Sequence, residues 1–346
     1  MGLVQGVLDA DTFDAFADFA GQTWPDQPTD RDWLRWRYLD APGQEMRIAV
    51  RDGEVVACLG LRRRQWVYGT EVREAGETFA WFCRPDLRMT GLGIRLMKRA
   101  MADVIPLIAV GGSEDTQTLL PRLGWNKTGE APTFVLPLRG AAIARPIQAR
   151  TGVPPMLSTP LFNAVGRHLL RRTVSVPAGG TVVPMASLGS DVAALYGPGQ
   201  GTDLCAIPDP DQSRWMGGNP GQGTHFALYF RVHGTLVGCA QMRVYNIRGE
   251  SSAVITEMWS PQSDAAIWQW MVGTVVSHVR GFGVDTVRAR ACHAPLQAAL
   301  RHYRFVVAAT QPLWIWAGRK QTPPVHHPHV QFDLEDHALL PLAERT

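Results

Sequence analysis

The stretch Thr78-Phe-Ala-Trp-Phe-Cys-Arg-Pro-Asp-Leu-Arg-Met-Thr-Gly-Leu-Gly-Ile-Arg-Leu-Met97 decides the fold. Thr78 to Cys83 is an apolar run that meets Arg84-Pro85. Proline cannot donate to a ladder, so a strand is predicted to end there. From Ile94 to Met101 the apolar residues recur at helical spacing. Between the two lie Arg88-Met89-Thr90-Gly91-Leu92-Gly93. A strand, a glycine-bearing turn and a helix gather free backbone N–H groups and the positive end of a helix dipole at one point, and that geometry binds phosphate. A side chain at 91 or 93 would hold a diphosphate off the backbone. The run is not a dinucleotide fingerprint, because the third glycine is absent and no acidic residue follows at suitable spacing. It is not a P-loop either, for want of Gly-Lys-Ser/Thr.

Arg88-x-x-Gly91-x-Gly93, after Arg-Pro and before a helix, resembles the acetyl-CoA loop of the GNAT acyltransferases, whose pattern is Gln or Arg, two residues, Gly, one residue, Gly or Ala. The likeness runs over about fifteen consecutive positions in the right context. It implies acetyl-CoA or another acyl-CoA as co-substrate and no metal. Mapped onto this chain, the contacts fall on Phe82, Cys83, Arg84, Arg88, Met89, Thr90, Gly91, Leu92, Gly93 and Ile94. In that family the strand before the loop splays from its neighbour, its backbone pairs with pantetheine, and an N–H near its end (here Trp81-Phe82-Cys83) faces the thioester.

A chain of 346 residues has room for two cores. Its 45% hydrophobic and 19% charged residues describe an ordinary globular protein, and no run of eighteen apolar residues suggests a membrane span. The N-terminus lacks a basic segment followed by an apolar core, so the expected compartment is the cytoplasm. Five scattered cysteines fit neither a disulfide framework nor a Cys-x-x-Cys metal site. A net charge of +3 gives no reason to expect nucleic acid as a partner.

Taken in order, Asp11 to Phe19 and Asp30 to Leu39 read as helices with aromatic stripes. Asp52-Gly53 between Arg47–Val50 and Val55–Leu61 is a hairpin signal. Pro106 to Val110 is a short buried strand and Thr116 to Leu123 a helix. The segment Leu119-Leu120-Pro121-Arg122-Leu123-Gly124-Trp125 resembles the family's Tyr-x-x-Leu-Gly-Phe, but Leu120 stands where many relatives carry the tyrosine that acts as general acid. From Arg139 to Ser190 prolines and arginines accumulate. That composition suggests a connector over 139–180 with a short basic helix at 161–172, either a bridge or a peripheral membrane-surface contact.

The chain then repeats itself at an offset of about 180 residues. Trp215 to Gln222 echoes Trp36 to Gln44, His233 to Cys239 echoes Arg51 to Cys58, and His302 to Phe305 falls where Arg122 to Trp125 would. At the offset of the glycine loop stand Trp268-Gln269-Trp270-Met271-Val272-Gly273, on a continuous helix. The fold class expected is therefore α+β: two tandem GNAT-like domains, each a mixed, mostly antiparallel twisted sheet flanked by helices. Residues 1–138 would be the acyl-CoA-binding domain and 181–346 a degenerate copy without cofactor.

For chemistry, acyl transfer needs a neutral amine and a donor for the oxyanion. Alternation places Glu77 on the face of Phe79, Trp81 and Cys83, at the mouth of an apolar slot that would raise its pKa, as a base requires. Ser113 follows the next strand, where relatives often carry a polar residue near the cofactor arm. Cys83 has no histidine near it in sequence and reads as core. Trp268, Trp270, Trp314 and Trp316 are core or a sugar-binding groove, and His326-His327-Pro328-His329 is a loop or strand entry more than a metal tract. The expected activity is N-acyl transfer to a small-molecule amine. By resemblance, acceptors of tandem relatives include amino sugars and cell-envelope intermediates. The alternatives are a Fem-type aminoacyl transfer, or a protein that binds acyl-CoA without catalysis.

Overall fold

Asp52 and Gly53 take φ of 54° and 88°, the left-handed pair that a two-residue hairpin turn requires. Around that turn pair β2 (Gln44–Arg51) and β3 (Glu54–Tyr68), and β3 returns into β4 (Glu71–Cys83). Both of the last two strands run longer than their apolar runs. The polar middle of β3 is accommodated because Arg62 and Arg64 find a carboxylate, Glu77, across the ladder.

The computed structural model describes residues 4–24, 30–139, 173–218, 223–247 and 250–331. The 161–172 segment, with its bridging or membrane-surface reading, lies outside the described residues. No described helix is long and apolar enough to cross a membrane.

The N-terminal half continues with β1 (Val4–Val7), α1 (Phe13–Thr23) and α2 (Arg31–Tyr38) before the hairpin. After it come a 3-10 turn (Pro85–Thr90), α3 (Leu92–Asp103), β5 (Leu107–Val110), α4 (Glu114–Arg122) and β6 (Asn126–Pro137). Asp30 accepts from the Trp33 N–H to start α2, and Ser113 accepts from the Thr116 N–H to start α4. One sheet face buries α1 and α2 against Met46, Ile48, Val55 and Cys58. The other buries α3 and α4 against Ala49, Val56, Ala57, Leu59 and Leu61.

The C-terminal half repeats the order: β7 (Gly180–Met185), a 3-10 turn (Ser190–Leu195), β8 (Leu204–Ala206), α5 (Pro210–Gly217), β9 (Thr224–Val232), β10 (Thr235–Ile247), β11 (Glu250–Trp259), α6 (Ala265–Arg280), β12 (Thr286–Arg290), α7 (Ala294–His302) and β13 (Val306–Trp316), then β14 (Pro328–His329). The strand order is β1-β2-β3-β4-β5-β13-β6-β12-β11-β10-β9-β7, so each half gives its last strand to the other's sheet. Ala131 of β6 pairs with Gln311 of β13, its own counterpart in the repeat, which marks a pseudo-twofold axis.

The echoed tryptophans on α2 and α5 meet across the same axis. Trp36 and Trp215 stack with ring centroids 4.3 Å apart and 15° between planes. Each indole N–H donates to the other's carbonyl, at 3.2 and 3.1 Å. Such a pair contributes about 0.5–1.5 kcal/mol beyond its area burial. It clamps α2 to α5, so the halves are joined both through the sheet and through this stack. Trp268, Trp270, Trp314 and Trp316 are 0%, 1%, 6% and 8% exposed, which makes them core and leaves no tryptophan-lined sugar groove at these positions.

Candidate functional site

The ladder between β4 and β5 has two rungs, Gly76↔Leu107 and Glu77↔Ile108, and then stops. A Cβ on Gly76 would lie 2.6 Å from the Leu107 side chain and 2.8 Å from Leu61, so only glycine lets the two strands close at this base. Beyond it Thr78 to Cys83 has β3 on one side and an opening on the other, and all six residues are half-exposed.

A bulge shapes that opening. Gly60 pairs with Phe79 but Cys58 pairs with Phe82, and Ala80 takes φ of 45°. One extra residue in a strand reverses the faces that follow it. Phe79 and Phe82 therefore pack with α1 and α2, while Trp81 and Cys83 pack with α3. The single face drawn for Glu77, Phe79, Trp81 and Cys83 does not exist. A left-handed alanine is strained, and the Cys58 thiol fixes it by donating to the Ala80 carbonyl at 3.3 Å.

At the open end Leu87 anchors the 3-10 turn in the core, and the Thr90 hydroxyl donates to the Leu87 carbonyl at 2.7 Å. Gly91 then takes φ of 74° and caps α3 with no side chain over the first amides. A Cβ at Gly91 would meet nothing within 4 Å, so the space above the amides is open. Gly93 is different: its Cβ would press on the Trp81 indole at 3.0 Å, and that indole donates to the Gly93 carbonyl at 3.1 Å. Leu92 is buried, Gly93 and Ile94 are half-buried, and Met89 is 98% exposed at the rim. Arg88 reaches across to Asp115 at the start of α4, 3.9 Å away. Arg84 is instead held by Asp86 at 2.8 Å and Glu54 at 2.9 Å. Burial pushes the Cys83 thiol up, away from nucleophile chemistry.

The carboxylate of Glu77 is 3% exposed, paired with Arg64 and 3.6 Å from Arg62. It sits in mid-strand among arginines, not at a strand entry and not in an apolar slot. Ser113 is exposed, and its hydroxyl caps α4. Leu120, at the family's tyrosine position, is 1% exposed in the core. Arg62 and Arg64 were invisible as partners of Glu77 in the sequence, although the opposition of 62 and 77 follows once both strands are extended to their full length.

Residues 10–106 match the model of the family described as Acetyltransferase (GNAT) family. Over those residues the chain is similar to the GNAT acetyltransferases. The matched region is the N-terminal copy, the one with the open cleft. No curated protein matches the chain. Among solved structures, a GCN5-related N-acetyltransferase from Anabaena variabilis aligns with a TM-score of 0.61 at 12% identity, covering 91% of this chain and 73% of that one. Saccharomyces cerevisiae N-myristoyltransferase with bound myristoyl-CoA gives 0.62 at 10%, covering 99% and 89%. A tandem GNAT protein from the clavulanic acid biosynthesis pathway gives 0.55 at 15%, covering 92% and 100%. These likenesses are of fold, and they extend the GNAT architecture to both halves.

The second copy splays in the same manner, its β11–β12 ladder ending at Ile255↔Ala289. Its loop counterpart is Ser260 to Asp264, not the 268–273 segment, which lies inside α6. Asp264 accepts from the Ala266 N–H at 2.8 Å. A carboxylate there both occupies a donor and repels a diphosphate. The cleft itself is filled. His329 lies 3.2 Å from Glu257, Gln331 is 3.3 Å from His329, and Trp259 and Trp268 pack on His293. His329, read as part of a solvated loop or strand entry, is on a short strand and 2% exposed. No group of metal-ligating side chains forms among the described residues.

Burial pushes His293 down to about 3, with His329 adding to it. Burial and then Arg243 push His225 down to about 4. Both are held neutral when folded, whereas the unfolded chain takes up their protons below about 6.5. Stability is therefore complete above 6.5 and is lost as pH falls from there toward 4. The urea midpoint is expected to drop between pH 7 and 5, and His293→Leu with His225→Leu to flatten that drop. An unchanged slope in the double variant would contradict the assignment.

Proposed function

We propose that the N-terminal copy, residues 1–138, binds acetyl-CoA or another acyl-CoA and transfers its acyl group to an amine. The diphosphate is placed on the amides from Arg88 to Ile94 and the start of α3, with Phe82, Cys83 and Arg84 along the approach. The pantetheine arm is placed beside Thr78 to Cys83. The observation that carries the reading is the two-rung ladder opening next to a helix whose cap, Gly91, carries no side chain. The amine nitrogen attacks the thioester carbonyl, the C–S bond breaks, the new amide forms and the thiolate leaves with the proton that the amine gives up. The bulge at Ala80 turns the backbone beside the thioester and is read as the source of the oxyanion donor.

Two side chains have assigned parts. Glu77, fixed by two arginines, is read as a positioning residue that holds β4 at the base of the splay. Ser113, exposed at the mouth of α4, is read as the polar contact near the cofactor arm. Residues 139–180 are the connector, and 181–346 shape the acceptor side without binding cofactor. Leu120 in the tyrosine position favours a second reading, a binder of acyl-CoA that does not turn over. Thiol release on mixing acetyl-CoA with pooled primary amines separates them. The transferase reading expects release that depends on the amine; binding without release selects the binder.

A further inference from the structure

A cavity of about 500 Å³ lies where the two halves meet, at the end of β4 opposite the cleft beside Gly91. The first half supplies the β3–β4 turn, Tyr68 to Arg73, and Ile105-Pro106 at the entry to β5. The second supplies Asp203 and the loop after β13, through Pro324 and His326. Arg73 and Cys83 stand ten residues apart on β4. That is about 30 Å of strand, so a guest in the cavity touches neither Gly91 nor the open ladder.

The walls are tied together across the halves. The Gly69 N–H donates to the Asp203 carbonyl at 2.7 Å, and the Asp203 carboxylate accepts from the His326 and His327 N–H groups at 2.6 and 2.8 Å. Val325 shares a core cluster with Tyr68. Gly69, at φ of 63°, leaves room for the Pro324 ring, which a Cβ there would meet at 3.1 Å. The polar groups inside are of both signs. Arg73 donates from Nη2 to the Ile105 carbonyl and from Nη1 to Glu71 Oε1, each at 3.2 Å, and its guanidinium lies 5.8 Å from the Tyr68 ring centroid. These contacts orient the guanidinium and leave N–H donors to spare. The other Glu71 oxygen takes no hydrogen bond among the described residues. The Tyr68 hydroxyl is buried, its residue 6% exposed, and has no hydrogen-bond partner. Burial also pushes that phenol up, so it keeps its proton and stays a donor. A buried donor left unpaired carries a desolvation cost that an incoming acceptor removes.

We infer that this cavity binds a free α-amino acid with an apolar side chain. Its carboxylate meets Arg73 and the Tyr68 hydroxyl, its ammonium meets Glu71, and its side chain lies against Ile105, Pro106 and Pro324. Guanidinium and carboxylate are adjacent here, so a guest that satisfies both must carry the opposite charges equally close together. In an α-amino acid the two hang from one carbon. A plain carboxylate would be repelled by Glu71, and a plain amine by Arg73. The volume admits a side chain as large as that of phenylalanine. The inference stands whether or not the cleft at the other end of β4 takes acyl-CoA.

The test is an isoleucine-methyl NMR titration of the full chain with phenylalanine, N-acetylphenylalanine and phenylalaninamide. Ile105, 44% exposed on the cavity wall, is the reporter. Its signal is expected to shift and saturate with phenylalanine at a Kd of about 1 mM or tighter. The two analogues, each short of one charge, should bind at least roughly tenfold more weakly. Arg73→Gln and Glu71→Gln should each raise the Kd about tenfold, and Tyr68→Phe about fivefold. The buried Ile255 and Ile267 methyls check that each variant is folded. Equal binding of either analogue, an Ile105 signal unmoved by phenylalanine, or a Kd indifferent to any of the three substitutions would overturn the inference.

Discussion

Replacing Gly91 by glutamate is expected to weaken acetyl-CoA binding at least 100-fold while leaving the fold intact. Two terms add. A residue other than glycine at φ of 74° is strained by roughly 1 kcal/mol. A carboxylate then stands where the proposal places the diphosphate, in front of the open amides that start α3. Each factor of ten is about 1.4 kcal/mol, so a loss of about 3 kcal/mol suffices. The protein should still fold because the added Cβ meets nothing within 4 Å. Gly91→Ala should cost only a few-fold, from strain alone. Equilibrium dialysis with labelled acetyl-CoA reads the series. Equal losses in the alanine and glutamate variants would assign the effect to backbone strain and remove the anion site. Asp264→Ala, in the second copy, should leave the affinity unchanged. Gly273 makes a poor control, since a Cβ there would lie 2.2 Å from the Tyr303 hydroxyl.

The second large effect is on stability. Glu77→Ala leaves Arg64 and Arg62, 8% and 2% exposed, without their carboxylate inside the sheet. Breaking a buried pair from one side costs about 3–5 kcal/mol, because the remaining charge stays desolvated. For a protein of this size that is a fall in Tm of roughly 4–7 °C. Removing both partners, as in Glu77→Leu with Arg64→Met, should recover much of the loss. A general base would behave otherwise: its alanine variant would keep its Tm and lose turnover with a shifted pH profile. Calorimetric Tm and thiol-release rate, measured on the same preparation, separate the two roles.

How much of this was legible in the residues differs from element to element. The glycine loop was fully legible, because Arg-Pro ends a strand and paired glycines before a helix have few structural uses. The repeat was legible from three echoes, and the Trp36–Trp215 stack shows why one of them persists: the two residues touch across the axis. The bulge was not, since Ala80 carries no glycine to announce a positive φ, and missing it put Trp81 and Cys83 on the wrong face. The surroundings of Glu77 were lost for a similar reason. Reading β3 and β4 as short apolar runs cut off the arginines that lie opposite, so a buried ion pair looked like a carboxylate at the rim. The second-copy loop was displaced because α6 begins after a shorter connection than α3 does, and a fixed offset slides past it. The exchange of β6 and β13 has no signature in a single sequence, because each strand pairs with the other's sheet at the same repeat position.

The most direct measurement is a calorimetric titration of the full chain with acetyl-CoA. A single site per chain is predicted, with heat that vanishes in Gly91→Glu. No heat with the wild-type chain, or two equivalent sites, would contradict the claim that one copy alone keeps an open, uncapped helix start for the cofactor.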